Sequence, residues 1–283
     1  MNVLAVDTCL EPGSLALISE DVPSSGDGCA AGEPEVVALP PGWRSVALHE
    51  EIRQLLARHG LTTANIDLYA VTAGPGAFTG VRLGLTAVKG LAEVHDKPII
   101  PVSTLEALAS SAVYPSRDRK GAGTGNNPRG EATSGPDQEP TTESLVTRHS
   151  SLVTVFAPVL DARRGQIFGA VYATEGPSGE GADFHALIPD SVCSLRSFLN
   201  QVKAAGLTTE TLKFCVTDEA LLLPAIEEFG WTADSLVRVS PQLAGTVARM
   251  AAARFRQGKG IGALAADANY VRASDAELFW KES

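Results

Sequence analysis

Residues 67–103 read DLYAVTAGPGAFTGVRLGLTAVKGLAEVHDKPIIPVS, and few folds accommodate that order of signals. An apolar run at 68–71 has the length and composition of a buried strand. It breaks at Gly74-Pro75-Gly76, where glycine gives access to backbone angles that other residues avoid. Val81, Leu85, Val88 and Ala92 then fall on one helical stripe, and a second strand follows at 98–102. Strand, turn, helix and strand make a βαβ unit, so the two strands are expected to be parallel with a right-handed crossover.

The same stretch poses two questions. A glycine turn feeding a helix N-terminus is a potential anion site, although glycines also serve simply to make a turn tight. Gly76, Gly80 and Gly84 recur every four residues, and each glycine inside a helix costs about 1 kcal/mol relative to alanine. Such a ladder predicts a close neighbour on that face, either another helix of the same layer or a second subunit.

Composition narrows the function classes. With 283 residues, 44% of them hydrophobic, the chain can build two domains of ordinary size. A net charge of −10 argues against the chain itself being the main grip on nucleic acid, so any such link is expected to run through a partner. No apolar run approaches a membrane span, and the N-terminus lacks the basic start of a signal peptide, so a cytoplasmic protein is expected. Cys9, Cys29, Cys193 and Cys215 are scattered and are read as free thiols, and no two histidines stand four apart.

Taken in order, the chain opens with strands at 3–6 and 14–18, a polar tip at 20–32 and a third strand at 35–39. Asp7 closes the first strand, where phosphate-handling folds keep a carboxylate for a metal; aspartate is equally an ordinary turn residue. Asp7 and Thr8, with Gly74 and Gly76, are the candidate cofactor contacts, read as a vestigial phosphate site. A helix capped by Ser45 ends before Gly60, with Leu48, Ile52, Leu55 and Leu56 on its apolar face. Ser103 and Glu106 suggest a capping box for the next helix.

Residues 115–144 contain no apolar residue except two alanines and are dense in Gly, Pro, Thr and charge. Residues 115–150 are therefore expected to be a disordered insertion. The second half restarts with strands at 153–160, 166–173 and 183–188. Helix, strand, helix, strand and helix follow at 191–204, 212–216, 218–229, 236–239 and 242–256. The order repeats the first half, with Asp161 in the place of Asp7. The expected fold is α/β: two ribonuclease-H-like, actin-like βββαβα domains, 1–103 and 151–266, facing each other across a cleft. The tail at 267–283 is expected to pack back on the first.

VLAVDT at 3–8, the glycine helix at 73–92, PIIPVSTLEALA at 98–109, LDARRGQIF at 160–168 and YVRASDAELFWK at 270–281 together resemble the bacterial TsaB (YeaZ) family. The resemblance implies a role in adding threonylcarbamoyl to tRNA adenosine, as a non-catalytic scaffold. It implies a heterodimer with TsaD, a ternary assembly with the ATPase TsaE, a homodimer when alone, and contact with tRNA only through the complex. No cofactor of its own is implied, ATP and magnesium belonging to the partner subunits, and no catalytic residue.

In TsaD-like proteins two metal-binding histidines follow the strand after the glycine helix; the matching positions here are Thr104 and Leu108, neither suited to hold a transition metal. The TsaD nucleotide glycines are matched by Thr217-Asp218-Glu219. The resemblance further implies a partner surface on the helices at 46–58 and 79–92, comprising Leu48, His49, Ile52, Arg53, Leu56, Phe78, Thr79, Gly80, Arg82, Leu83, Gly84 and Thr86. An ATP-dependent phosphotransferase of the actin-like superfamily is the alternative, resting on Asp7, Asp161 and the glycine turn. A metallopeptidase is a weaker third reading, against which the missing histidine pair stands.

Overall fold

The computed structural model describes residues 1–19, 32–40, 42, 45–113, 154–174, 184–208 and 211–271. The polar tip at 20–31, the insertion expected at 115–150, Cys29 and the tail beyond 271 lie outside the described residues.

The first half runs β1 (Asn2–Asp7), β2 (Ser14–Ser19), β3 (Glu35–Ala38), α1 (Ser45–Arg58), β4 (Leu68–Thr72), α2 (Phe78–His95), β5 (Ile99–Val102) and α3 (Thr104–Val113). The second half runs β6 (Val155–Arg163), β7 (Gln166–Thr174), β8 (Phe184–Ser194), α4 (Leu195–Ala204), β9 (Leu212–Val216), α5 (Leu223–Ile226), β10 (Leu236–Arg238) and α6 (Ala244–Arg256). The sheet orders are β3-β2-β1-β4-β5 and β10-β9-β6-β7-β8. Numbered within its own half, each sheet has the same order, so the fold is one topology used twice. The strands β4 and β5 are parallel, as the βαβ pattern requires, and every residue of β4 is buried.

Several boundaries differ from those expected. β8 runs on to Ser194, through the stretch 191–194 that reads as helix in sequence, because Ser191 to Ser194 continue the antiparallel ladder with β7. Ser194 then caps α4, its hydroxyl accepting from the Ser197 amide at 3.2 Å. Only a 3₁₀ turn at Glu219–Leu221 and the short α5 occupy 218–229. Asp218 caps the turn, accepting from the Ala220 amide at 3.0 Å.

The halves are interlocked rather than simply apposed. α6 packs on β1, β2, β4 and β5 of the first sheet, while α3 packs on β6, β7 and β9 of the second. Both helices contribute to one buried cluster that joins the sheets, including Leu105, Leu108, Val247, Ala248 and Ala251. Glu106 on α3 pairs with Arg254 on α6 inside this layer. That pairing draws the Glu106 side chain away from the expected capping box; Ser103 Oγ alone caps the helix, at 3.4 Å from the Glu106 amide.

The outer face of the first sheet is covered by α1 and α2. Leu48, Ile52, Leu55 and Leu56 join Leu85, Val88 and Ala92 in a second buried cluster. After α6 the chain returns to the first half, where Ile261 bridges Ile99 on the edge strand β5 with hydrogen bonds of 2.8 and 3.0 Å.

Candidate functional site: the cleft and the outer face of the first domain

The cleft between the halves measures about 1170 Å³. One wall is the turn 75–78 with Arg82, the other the β6–β7 turn with Asp161, Arg163 and Arg164; Tyr270 and Val271 close the rim. The apolar run of β1 carries Asp7 to the centre of the molecule, but there it is fully buried. Asp7 Oδ1 accepts from the Thr72 hydroxyl at 2.8 Å and the Cys9 amide at 3.1 Å. Its Oδ2 accepts from the Leu243 amide, just before α6, at 3.3 Å. Burial raises its pKa to about 6, against the lowering effect of these three donors.

The candidate cofactor contacts are therefore not assembled as a phosphate site. Asp7 spends both oxygens tying β1 to β4 and to α6, and neither Asp7 nor Thr8 lines the cleft, whereas Gly76 does. Thr8 Oγ1 donates to the Gly80 carbonyl at 2.7 Å. Gly74, at φ +98°, turns the chain towards the return segment, its absent side chain facing the Asn269 carbonyl and Val81. Asp161, despite its equivalent position in the second half, is exposed and caps its own turn, accepting from the Arg163 amide at 2.7 Å.

The glycine ladder has a different neighbour from a partner helix. A β-carbon at Gly76 would lie 2.7 Å from the Cys9 carbonyl, one at Gly80 2.0 Å from the Thr8 carbonyl, and one at Gly84 2.2 Å from Thr8 Oγ1. The ladder lets α2 press onto the end of the chain's own first strand. Gly80 and Gly84 thus leave the expected partner surface.

Leu48, Ile52 and Leu56 leave it as well, being at most 2% exposed because they face the first sheet. His49, Arg53, Phe78, Thr79, Arg82 and Thr86 are exposed, and Leu83 is half-buried. Arg53 is joined to Glu50 at 2.6 Å. The side chains that reach solvent on α1 and α2 form a mixed polar and apolar outer face.

Thr104 and Leu108 are both fully buried, Leu108 within the shared core. Among the described residues Thr104 Oγ1 has no hydrogen-bond partner. Nearby Cys9 is a buried thiol donating to the Thr72 carbonyl at 3.5 Å; burial first, and the Asp7 charge second, push its pKa up to about 12. Among the described residues no three His, Cys, Asp or Glu side chains gather as a metal site would.

The residue pattern did not single out Asp190, on which three segments converge. Its carboxylate accepts from Ser103 Oγ at 2.6 Å, from Asn269 Nδ2 at 2.6 Å and from the Tyr172 hydroxyl. Burial, then the Asp190 charge, hold the Tyr172 phenol well above its ordinary range. Asn269 also donates its amide to the Ala73 carbonyl at 2.7 Å. One carboxylate thus ties the first half, the second half and the return segment together. No local signal marks such a residue in sequence.

Known proteins are similar to this chain in sequence and in fold. The family model for tRNA N6-adenosine threonylcarbamoyltransferase (TsaD) matches residues 44–121. The tRNA threonylcarbamoyladenosine biosynthesis protein TsaB of Haemophilus influenzae is 35% identical over 112 residues, 40% of this chain and 43% of that protein. The Bacillus subtilis protein of the same name is 26% identical over 203 residues, 72% of this chain and 66% of that protein. The matched segments thus span less than two thirds of these relatives' lengths. YeaZ from Pseudomonas aeruginosa has the same fold, with a TM-score of 0.65 at 20% identity, covering 95% of this chain and 99% of that structure. In sequence the chain is similar to TsaB proteins over part of its length, and its two sheets of one repeated order give it the fold of YeaZ.

Proposed function

We propose that this chain is a non-catalytic scaffold subunit in tRNA threonylcarbamoyladenosine biosynthesis, dimerising with the threonylcarbamoyltransferase TsaD. The names of its relatives support the pathway. The observation that carries the scaffold reading is the fate of the two positions that would hold a metal in a TsaD-like chain. Thr104 and Leu108 are both fully buried, Leu108 in the core between the sheets. Asp7 supports the same reading, since its two oxygens are used to hold β1, β4 and α6 together. The phosphotransferase alternative needs that carboxylate free.

The partner surface is the exposed part of α1 and α2 away from the cleft, His49, Arg53, Thr79, Leu83 and Thr86; Phe78 and Arg82, expected on it, line the cleft instead. TsaE joins through TsaD, tRNA is held by the assembled complex, and ATP with magnesium serves the partner subunits. Alone, the chain pairs with itself through the same face. We place the protein in the cytoplasm with the tRNA pathway named for its relatives; no helix among the described residues is long and apolar enough to cross a membrane. Reconstitution tests the reading: tRNA modification by TsaD, TsaE and a threonylcarbamoyl-adenylate source should require this chain. Modification that proceeds without it, or transfer by this chain alone, would refute it.

A further inference from the structure

At the rim of the cleft the Arg82 guanidinium is held on two sides. Its Cζ lies 3.9 Å from the centroid of the Phe78 ring, one turn earlier in α2. Its Nε donates to the Tyr270 hydroxyl at 2.9 Å, across 188 positions of sequence. The two rings stand 5.7 Å apart, so the guanidinium sits in an aromatic clip. Neither of its Nη groups has a partner among the described residues. A guanidinium fixed in this way has already lost its rotameric freedom, yet it keeps the planar fork that grips a carboxylate or phosphate through two parallel hydrogen bonds.

A second feature points to the same ligand chemistry. α2 begins after Ala77, whose side chain caps none of the first-turn amides. Helical side chains lean towards the N-terminus, which brings the Arg82 fork over that turn. The turn and Arg82 share one wall of the cleft. On the opposite wall stand Arg163 and Arg164 with Asp161 and Asp218. Asp161 is paired with Arg163 at 3.3 Å, and Asp218 accepts from its own turn. Glu11 is the remaining acid of the lining.

We propose that Arg82, clipped between Phe78 and Tyr270, is an anion-binding group, taking the carboxylate or phosphate of a small molecule that enters the cleft. A concave site of this size suits a small ligand better than the flat approach of a protein surface. The site is separate from the Asp7 position, whose oxygens are spent. The proposal does not rest on the scaffold reading, because it is tested on this chain alone.

The test is calorimetric titration of the purified chain with inorganic phosphate, citrate and a hexaglutamate peptide at constant ionic strength, for wild type and three variants. Phosphate or citrate should bind, and Arg82→Gln should weaken that binding at least ~10-fold, the order expected for a charged bidentate contact. Arg82→Lys, which keeps the charge but not the fork, should recover only part of it. Tyr270→Phe, which keeps the ring but not the hydroxyl, should weaken it several-fold. Melting temperatures of the variants distinguish lost binding from lost folding. Equal binding by wild type and Arg82→Gln, no binding of either small anion, or binding of the peptide alone would overturn the proposal.

Discussion

The Thr8 carbonyl lies so close to Gly80 that a β-carbon there would sit 2.0 Å from the oxygen. The obstruction is backbone, so neither side can yield by a rotamer change. Gly80→Ala should therefore destabilise the protein by about 3 kcal/mol or more, despite the better helix propensity of alanine. Gly90, on the same helix, has nothing within 4 Å of an added β-carbon. Gly90→Ala should stabilise by about 0.5–1 kcal/mol. Urea unfolding of both variants checks the pair; similar changes in both would contradict the packing described.

Asp7 sets a pH dependence. Its folded pKa of about 6 lies above the ordinary 3.8, so between these values the folded state holds a proton that the unfolded state has released. Stability from this group therefore falls as pH rises from about 4 to 6 and stays at the lower level above that, a loss of roughly 3 kcal/mol. Asp7→Asn should remove this part of the pH profile while adding a constant cost at the Leu243 amide. Unfolding free energies across that window, compared between wild type and variant, test it. A parallel pair of profiles would show that Asp7 does not titrate there.

The Glu106–Arg254 pair joins α3 to α6 with side chains only 12% and 23% exposed. Removing one partner leaves the other charge in a mostly buried layer. Glu106→Gln and Arg254→Met should each cost about 2–4 kcal/mol, and the double variant much less than their sum. Additive losses in thermal unfolding would mean that the two charges do not depend on each other.

Two classes of substitution should separate folding from partnership. Leu48→Ala removes a fully buried side chain and should cost about 2–5 kcal/mol. Thr86→Arg changes an exposed position and should leave stability within about 0.5 kcal/mol while weakening the TsaD complex. Melting curves alongside pull-down with TsaD distinguish them; loss of binding in neither variant would move the partner surface elsewhere.

The sequence carried the fold well because its signals are local. The β4–α2–β5 pattern, the glycine break and the repeated order of strands are all periodicities within a few tens of residues. What it concealed were contacts between distant segments. Gly80 reads as a site of close approach, which it is, but the approaching group is Thr8 of the same chain. Leu48 and Ile52 lie on the apolar stripe of α1, and that stripe is spent on the sheet below rather than on a partner. Asp190 meets the first half from the middle of the second, and Asn269 and Tyr270 only after the chain has completed it, so no spacing announces them. Phe78 and Arg82, four apart on α2, make a contact that helical spacing does announce, as Glu50 and Arg53 do on α1.

The central claim is that this chain acts by pairing with TsaD. Size-exclusion chromatography with light scattering, on the chain alone and mixed with its cognate TsaD, tests it most directly. The account predicts a homodimer alone, replaced on mixing by a one-to-one complex. A chain whose mass and elution are unchanged by TsaD would contradict it.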